Sequence, residues 1–157
     1  MKATLSPNWD ELEPVRQEAH DFLQDRDLQD DIVYSTVMVL SELLENSIKY
    51  GHFKDPDSTV RVSLDVDSHI ITVAVTNPVN EGCYKDLEKL DKMIQWVRGY
   101  QDPFEAYVER MKEVSKKSLH DTESGLGIVR IAYEGSVTID FFVSDEDLLT
   151  VSAIRIY

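Results

Sequence analysis

Ser41-Glu42-Leu43-Leu44-Glu45-Asn46-Ser47-Ile48-Lys49-Tyr50 closes the most strongly helical stretch of the chain, and the fold is read outward from it. Asp27 suits the N-cap of the helix that carries this segment. Val33, Val37, Leu40, Leu44 and Ile48 make an apolar stripe along it, and Gly51 supplies the stop. Beside the stripe, Glu42, Asn46 and Lys49 stand at i, i+4 and i+7, so one flank presents a carboxylate, a carboxamide and an ammonium together. From spacing alone, a solvated polar flank is the plainer account. Two features speak for chemistry instead. Asparagine is a mediocre helix former and needs a reason to sit in mid-helix, and Lys49-Tyr50-Gly51 ends the helix where a loop can close over a ligand.

Upstream, Lys2–Leu5 reads as a short strand. Trp9, Leu12, Val15, Ala19, Phe22 and Leu23 recur at helical spacing, with Pro14 tolerable only in the first turn. Downstream, Val60, Val62, Leu64 and Val66 alternate with polar residues, Asp67-Ser68 turns the chain, Ile70 to Thr76 runs back, and Asn77-Pro78 closes the hairpin. Tyr84–Tyr100 and Pro103–Lys117 read as two amphipathic helices, a helical insert over about residues 84–117. A glycine-containing helix start follows at Ser124–Tyr133, and Val137–Val143 with Leu148–Ile156 form a second hairpin turned at Ser144 to Asp147. The order helix, helix, hairpin, helical insert, short helix, hairpin predicts an α+β chain. It is a two-layer sandwich whose mostly antiparallel sheet carries helices on one face.

The 157 residues fit one domain over 1–157 with a two-layer core. No apolar run approaches the roughly 20 residues of a membrane span, and residues 1–7 show no signal-peptide pattern, so a cytoplasmic location away from membranes is expected. Sixteen basic against thirty acidic residues leave a formal charge of −14, a field that repels nucleic-acid phosphates. Cys83 is the only cysteine, which excludes an internal disulfide and suits a small packed side chain better than a catalytic thiol. His20, His52, His69 and His120 lack ligand spacing.

Ser124-Gly125-Leu126-Gly127-Ile128 opens a helix, and its glycines let backbone amides approach an anion at the positive helix end. Alone, such a turn is as often a tight connection. Paired with Glu42-x-x-x-Asn46-x-x-Lys49, it resembles two boxes of the GHKL superfamily, which holds histidine kinases, type II topoisomerase ATPase subunits, chaperone ATPases and anti-sigma-factor kinases. The resemblance orders the chain from about Leu12 to Ile156 and implies the Bergerat fold, with ATP and magnesium as ligands.

By motif position the resemblance makes Asn46 the magnesium ligand through its carbonyl oxygen and Glu42 the catalytic carboxylate that polarises the attacking hydroxyl or water. Lys49 would face a phosphate, and Gly125, Leu126 and Gly127 would offer backbone amides to the phosphates. The first glycine box departs from the family: Asn77-Pro78-Val79-Asn80-Glu81-Gly82 stands where an Asp-x-Gly-x-Gly is usual. Asn77 falls at the position that accepts the adenine amine, which an amide oxygen can still do without charge assistance, and Gly82 lies beyond the usual glycine position.

The chain resembles the stand-alone anti-sigma-factor kinases more than a sensor histidine kinase, since it has no dimerisation-and-phosphoacceptor helices. A hydrolytic ATPase with a transducer domain is disfavoured for lack of that domain. The expectation is a regulatory serine/threonine kinase acting on a STAS-type antagonist or sigma-factor-like partner, compatible with a homodimer. The alternative is an inactive switch of the same fold that docks a partner stoichiometrically. In the insert, Trp96, Tyr100, Phe104 and Tyr107 are either docking anchors or, more simply, packing that holds the insert on the sheet.

Overall fold

The 21-residue helix α2 (Asp30–Tyr50), about 30 Å long, runs across the sheet with Val33, Val39, Leu40, Leu43 and Leu44 all buried. The computed structural model describes residues 1–55, 57–116 and 125–157, so Lys117, His120 and Ser124 lie outside the described residues. Helix α1 (Leu12–Gln24), entered through a 3-10 turn at Trp9–Glu11, packs against α2 through Leu12, Val15, Ala19 and Leu23. Pro14 sits in its first turn, where a missing N–H costs no helical hydrogen bond.

Strands β1 (Lys2–Leu5), β2 (Val60–Asp67), β3 (Ile70–Pro78), β4 (Thr138–Val143) and β5 (Leu148–Ile156) form one sheet in the order β1-β2-β3-β5-β4, with every pairing antiparallel. The alternation seen in the sequence fixes which face is covered. Val60, Val62 and Leu64 on β2, and Ile71, Val73 and Val75 on β3, are buried beneath the helices. Arg61, Ser63 and Asp65 point the other way, with Thr72, Ala74 and Thr76 beside them. On that open face Thr76 and its partner Thr150 share a 2.8 Å hydroxyl–hydroxyl hydrogen bond. The molecule is the expected α+β two-layer sandwich.

Helices α3 (Tyr84–Arg98) and α4 (Pro103–Ser115) follow the first hairpin. Asp102 caps α4 by accepting from the Phe104 N–H, and Pro103 occupies its first turn. Phe104 and Tyr107 stack against Tyr133 of α5 (Leu126–Glu134) at 5.1 and 5.3 Å, and Trp96 meets Tyr100 edge-on at 4.9 Å. Phe104 and Tyr107 therefore pack α4 onto α5, while Trp96 and Tyr107 also lie against the main hydrophobic core.

Three local expectations are corrected. Asp27 does not cap α2. It takes a left-handed conformation (φ 54°) in the turn that ends α1, and the extended Gln29 precedes α2 without a side-chain cap. The first hairpin turns at Ser68-His69, because Asp67 still pairs with Ile70. Asn77-Pro78 is not a closing turn. Strand β3 continues through both residues, paired with Leu149 and Leu148 of β5, while β2 pairs no further than Thr76, and a proline is tolerated where a strand has a neighbour on one side only.

Candidate nucleotide-binding site

Continuing β3 through Asn77 has a consequence for the site, because it carries that side chain beneath the C-terminal half of α2. A cavity of about 850 Å³ opens there, bounded by α2, the end of β3, α3 and the start of α5. Glu42, Asn46, Lys49, Asn77, Gly125 and Gly127 all line it, so residues expected from three separate segments meet on one surface. Leu126 does not line the cavity, and its side chain packs toward the hydrophobic core. The apolar wall includes Val75, Val79, Leu90, Met93, Leu149 and Val151. Size and lining suit a small organic ligand with an apolar, planar part.

Helix α5 comes down on α2 where Gly127 faces Glu42 and Asn46. A β-carbon at Gly127 would lie 2.8 Å from Glu42 Oε2 and 3.7 Å from Asn46 Nδ2, so the absence of a side chain is what lets these groups share one place. Glu42 Oε1 accepts a 3.0 Å hydrogen bond from Arg130 Nη1, and Arg130 Nε donates to Glu134 Oε2, also at 3.0 Å. The hydrogen bond to Glu134 foremost, with Glu42 adding, holds the Arg130 guanidinium above its ordinary range against a smaller effect of burial. Asn46 makes no side-chain hydrogen bond among the described residues, which leaves its carboxamide for a ligand. The Lys49 ammonium rests 4.8 Å over the Tyr50 ring at the rim.

Gly125 stands at the start of α5 in a left-handed conformation (φ 61°) and, lacking a side chain, supplies no side-chain cap of its own. The guanidinium of Arg110, on α4, lies over it: a β-carbon at Gly125 would stand 2.5 Å from Arg110 Nη2. Arg110 also holds Glu113 at 2.8 Å.

Asn77 is 3% exposed and donates from Nδ2 to the Pro78 carbonyl at 3.1 Å. A carbonyl only accepts, so this bond sets the amide's orientation and leaves Oδ1 as the acceptor. The turn beyond is built by Asn80, whose Oδ1 accepts from the Gly82 N–H at 3.0 Å and whose Nδ2 meets His52 Nε2 at 3.0 Å. Gly82 does not line the cavity. Sequence reasoning missed Ser47, Cys83 and Arg110 in the lining, together with Arg130 behind Glu42. Of these, only Ser47 sat inside a recognised motif.

A family model described as the histidine kinase-like ATPase domain matches residues 5–133. The chain belongs to that family. Among solved structures, a chain of the SiaB–SiaC complex from Pseudomonas aeruginosa superposes with a TM-score of 0.67 at 17% identity, covering 100% of this chain and 89% of that one, which shows a shared fold. A comparison with curated protein sequences gave no match.

The histidine kinase-like ATPase domain is an ATP-binding fold, and the residues present suit that ligand. A helix start whose Gly125 and Gly127 line the cavity brings the positive end of α5 to an anion, and Asn77 Oδ1 offers an acceptor in the same cavity. Among the described residues no group of three or more His, Cys, Asp or Glu could cage a metal ion. The donor set fits a hard cation held by the Asn46 amide oxygen together with phosphates and water. Among the same residues, no helix is long and apolar enough to cross a membrane.

Proposed function

We propose that this histidine kinase-like ATPase domain is a regulatory protein kinase of the anti-sigma-factor type, transferring the γ-phosphoryl group of ATP to a serine or threonine of a partner protein. The carrying observation is the meeting of Glu42 and Asn46 beneath Gly127, in one cavity with Lys49, Asn77 and Gly125. Asn46 and Lys49 would hold magnesium and phosphate, the magnesium ion supplying charge neutralisation. Glu42 would take the proton of the incoming hydroxyl as its oxygen bonds to the γ-phosphorus and the bond to the β-phosphate oxygen breaks, releasing ADP. A protein partner is supported by the structural neighbour, which was solved as a complex of two proteins. A STAS-type antagonist or a sigma-factor-like protein with basic contact residues would match the acidic surface, whose formal charge is −14.

Two observations favour a second reading, an inactive switch that docks its partner stoichiometrically: Glu42 is already engaged by Arg130, and Asn77 replaces the usual acid. Calorimetric titration with a non-hydrolysable ATP analogue, with and without magnesium and alongside GTP, separates the two. Magnesium-dependent binding that is lost in folded Asn46→Ala is the expected result. An Asn46→Ala variant with unchanged affinity would sink the assignment of Asn46, and absence of binding at millimolar nucleotide would leave the docking switch as the function.

A further inference from the structure

Helix α1 runs antiparallel to α2. His20 meets the Tyr34 ring at 5.9 Å, and one turn earlier Arg16 donates to Ser41 Oγ at 2.8 Å and to Glu45 Oε1 at 2.7 Å. Followed back past the start of α1, the chain reaches Trp9 beside the C-terminal part of α2, where Glu42, Glu45, Asn46 and Lys49 line the cavity. Trp9 lines that cavity as well, yet it is 56% exposed. The other tryptophan, Trp96, packs against the hydrophobic core. An indole left at a cavity mouth keeps apolar surface in water that a partner would cover, and tryptophan is the residue type most enriched among strong interface contacts. Trp9 is also held in place. Asn8 Oδ1 accepts from the Asp10 N–H at 3.2 Å and the Asn8 carbonyl from the Glu11 N–H at 3.1 Å, which fixes the 3-10 turn, and Leu12 anchors its end in the core. A pre-ordered aromatic ring loses little freedom on binding.

Charge divides the same cavity. Lys89, Lys92 and Arg110 come to it from α3 and α4, where Asp86 and Glu113 pair with Lys89 and Arg110. On the Trp9 side the balance is reversed. Asp10, Glu11, Glu13, Glu42 and Glu45 stand there against Arg16, which is shared between Glu13 and Glu45, Arg130, which holds Glu42, and Lys49 at the rim. Resting on the kinase reading above, we infer that Trp9 is the docking platform for the acceptor segment of the partner protein, a segment that lays an arginine or lysine on the indole and brings a nearby serine or threonine to Glu42. The face of an indole attracts a cation through its quadrupole, and the surrounding carboxylates strengthen that attraction and repel an acidic segment. Nucleotide phosphates are drawn by charge to the α3 and α4 side, so nucleotide and acceptor do not compete for one wall.

The test titrates the full chain, saturated with magnesium and a non-hydrolysable ATP analogue, with two probes: a short serine peptide carrying arginines beside the serine, and the same peptide with glutamates in their place. Parent, Trp9→Ala and Trp9→Phe are compared, with the melting temperature of each and its affinity for the ATP analogue alone. The expected result is an arginine peptide that binds the parent at least about tenfold tighter than the glutamate peptide, and less tightly as salt is raised. Trp9→Ala loses about fivefold or more for the arginine peptide, Trp9→Phe keeps most of the affinity, and nucleotide binding is the same in all three. Equal affinity for the two peptides overturns the inference, and so does Trp9→Ala binding the arginine peptide as the parent does. A loss of nucleotide affinity in Trp9→Ala overturns it as well, by placing the indole at the nucleotide. If the parent binds the analogue but neither peptide, the docking inference alone falls. If it binds no analogue at millimolar concentration, the kinase reading falls and the inference with it.

Discussion

Arg130 on α5 spans to α2 and holds the Glu42 carboxylate at 3.0 Å, while its own Nε is anchored by Glu134 at the same distance. The guanidinium thus sets the direction in which the candidate catalytic carboxylate points, and couples it to the helix whose start lies at the cavity. Both partners are partly exposed, Arg130 at 44% and Glu42 at 20% of the side chain, so the pair contributes under about 1 kcal/mol to stability. On the kinase reading proposed above, Arg130 is a positioning residue.

Arg130→Gln is therefore expected to leave the melting curve nearly in place and to lower phosphoryl-transfer turnover severalfold, with the KM for ATP unchanged. Arg130→Lys should recover part of the loss, since it restores the charge but not the forked geometry. A change in KM with turnover intact would place Arg130 at the substrate rather than behind Glu42.

Gly127 gives a sharper separation of stability from binding. It lies in the first turn of α5, where alanine is favoured over glycine by up to about 1 kcal/mol. The new β-carbon would clash only with the end of the Glu42 side chain, Oε2 at 2.8 Å, with Asn46 Nδ2 at an ordinary 3.7 Å. Gly127→Ala should fold at least as stably as the parent and bind a magnesium–ATP analogue at least tenfold more weakly, because the displaced Glu42 crowds Asn46. Calorimetry and thermal unfolding on one preparation check both halves, and unaltered binding would mean that α5 stands away from α2 in the complex.

Much of this was legible along the chain, for physical reasons. Period-two alternation marks β2, β3 and β5 because one face of the sheet is buried, and Asp102-Pro103 marks the start of α4 because a capping carboxylate and a pre-set φ favour it. The flank of Glu42, Asn46 and Lys49 was visible because helical spacing is local. What was missed is long-range or depends on context. Arg130 is 88 residues from Glu42, and nothing in an acidic chain points to that one pairing. Asp27 looked like a cap because caps and left-handed turn residues draw on the same short polar side chains. Pro78 looked like a terminator because its pairing depends on β2 ending before it. Ser47 gave no signal, since a helical serine ordinarily bonds to its own helix.

The same context changes what Asn77→Asp would do. From the sequence, restoring an acid should tighten ATP binding by about 1 kcal/mol or more through a charge-assisted bond to the adenine amine. The structure adds an opposing effect. Asn77 is 3% exposed and its Nδ2 donates to the Pro78 carbonyl, so an aspartate loses that bond and sets a buried carboxyl against a carbonyl oxygen. The free variant should therefore be less stable by about 1–3 kcal/mol in chemical denaturation. Burial also disfavours the charged form and raises the pKa of the introduced carboxyl, so the gain in affinity should be small in mildly acidic buffer and should grow as the pH rises through that pKa. Titrations of parent and variant with an ATP analogue at both ends of that range check the sign. Tighter binding that strengthens with pH places the adenine amine at position 77, and weaker binding at every pH would show that the base occupies another part of the cavity.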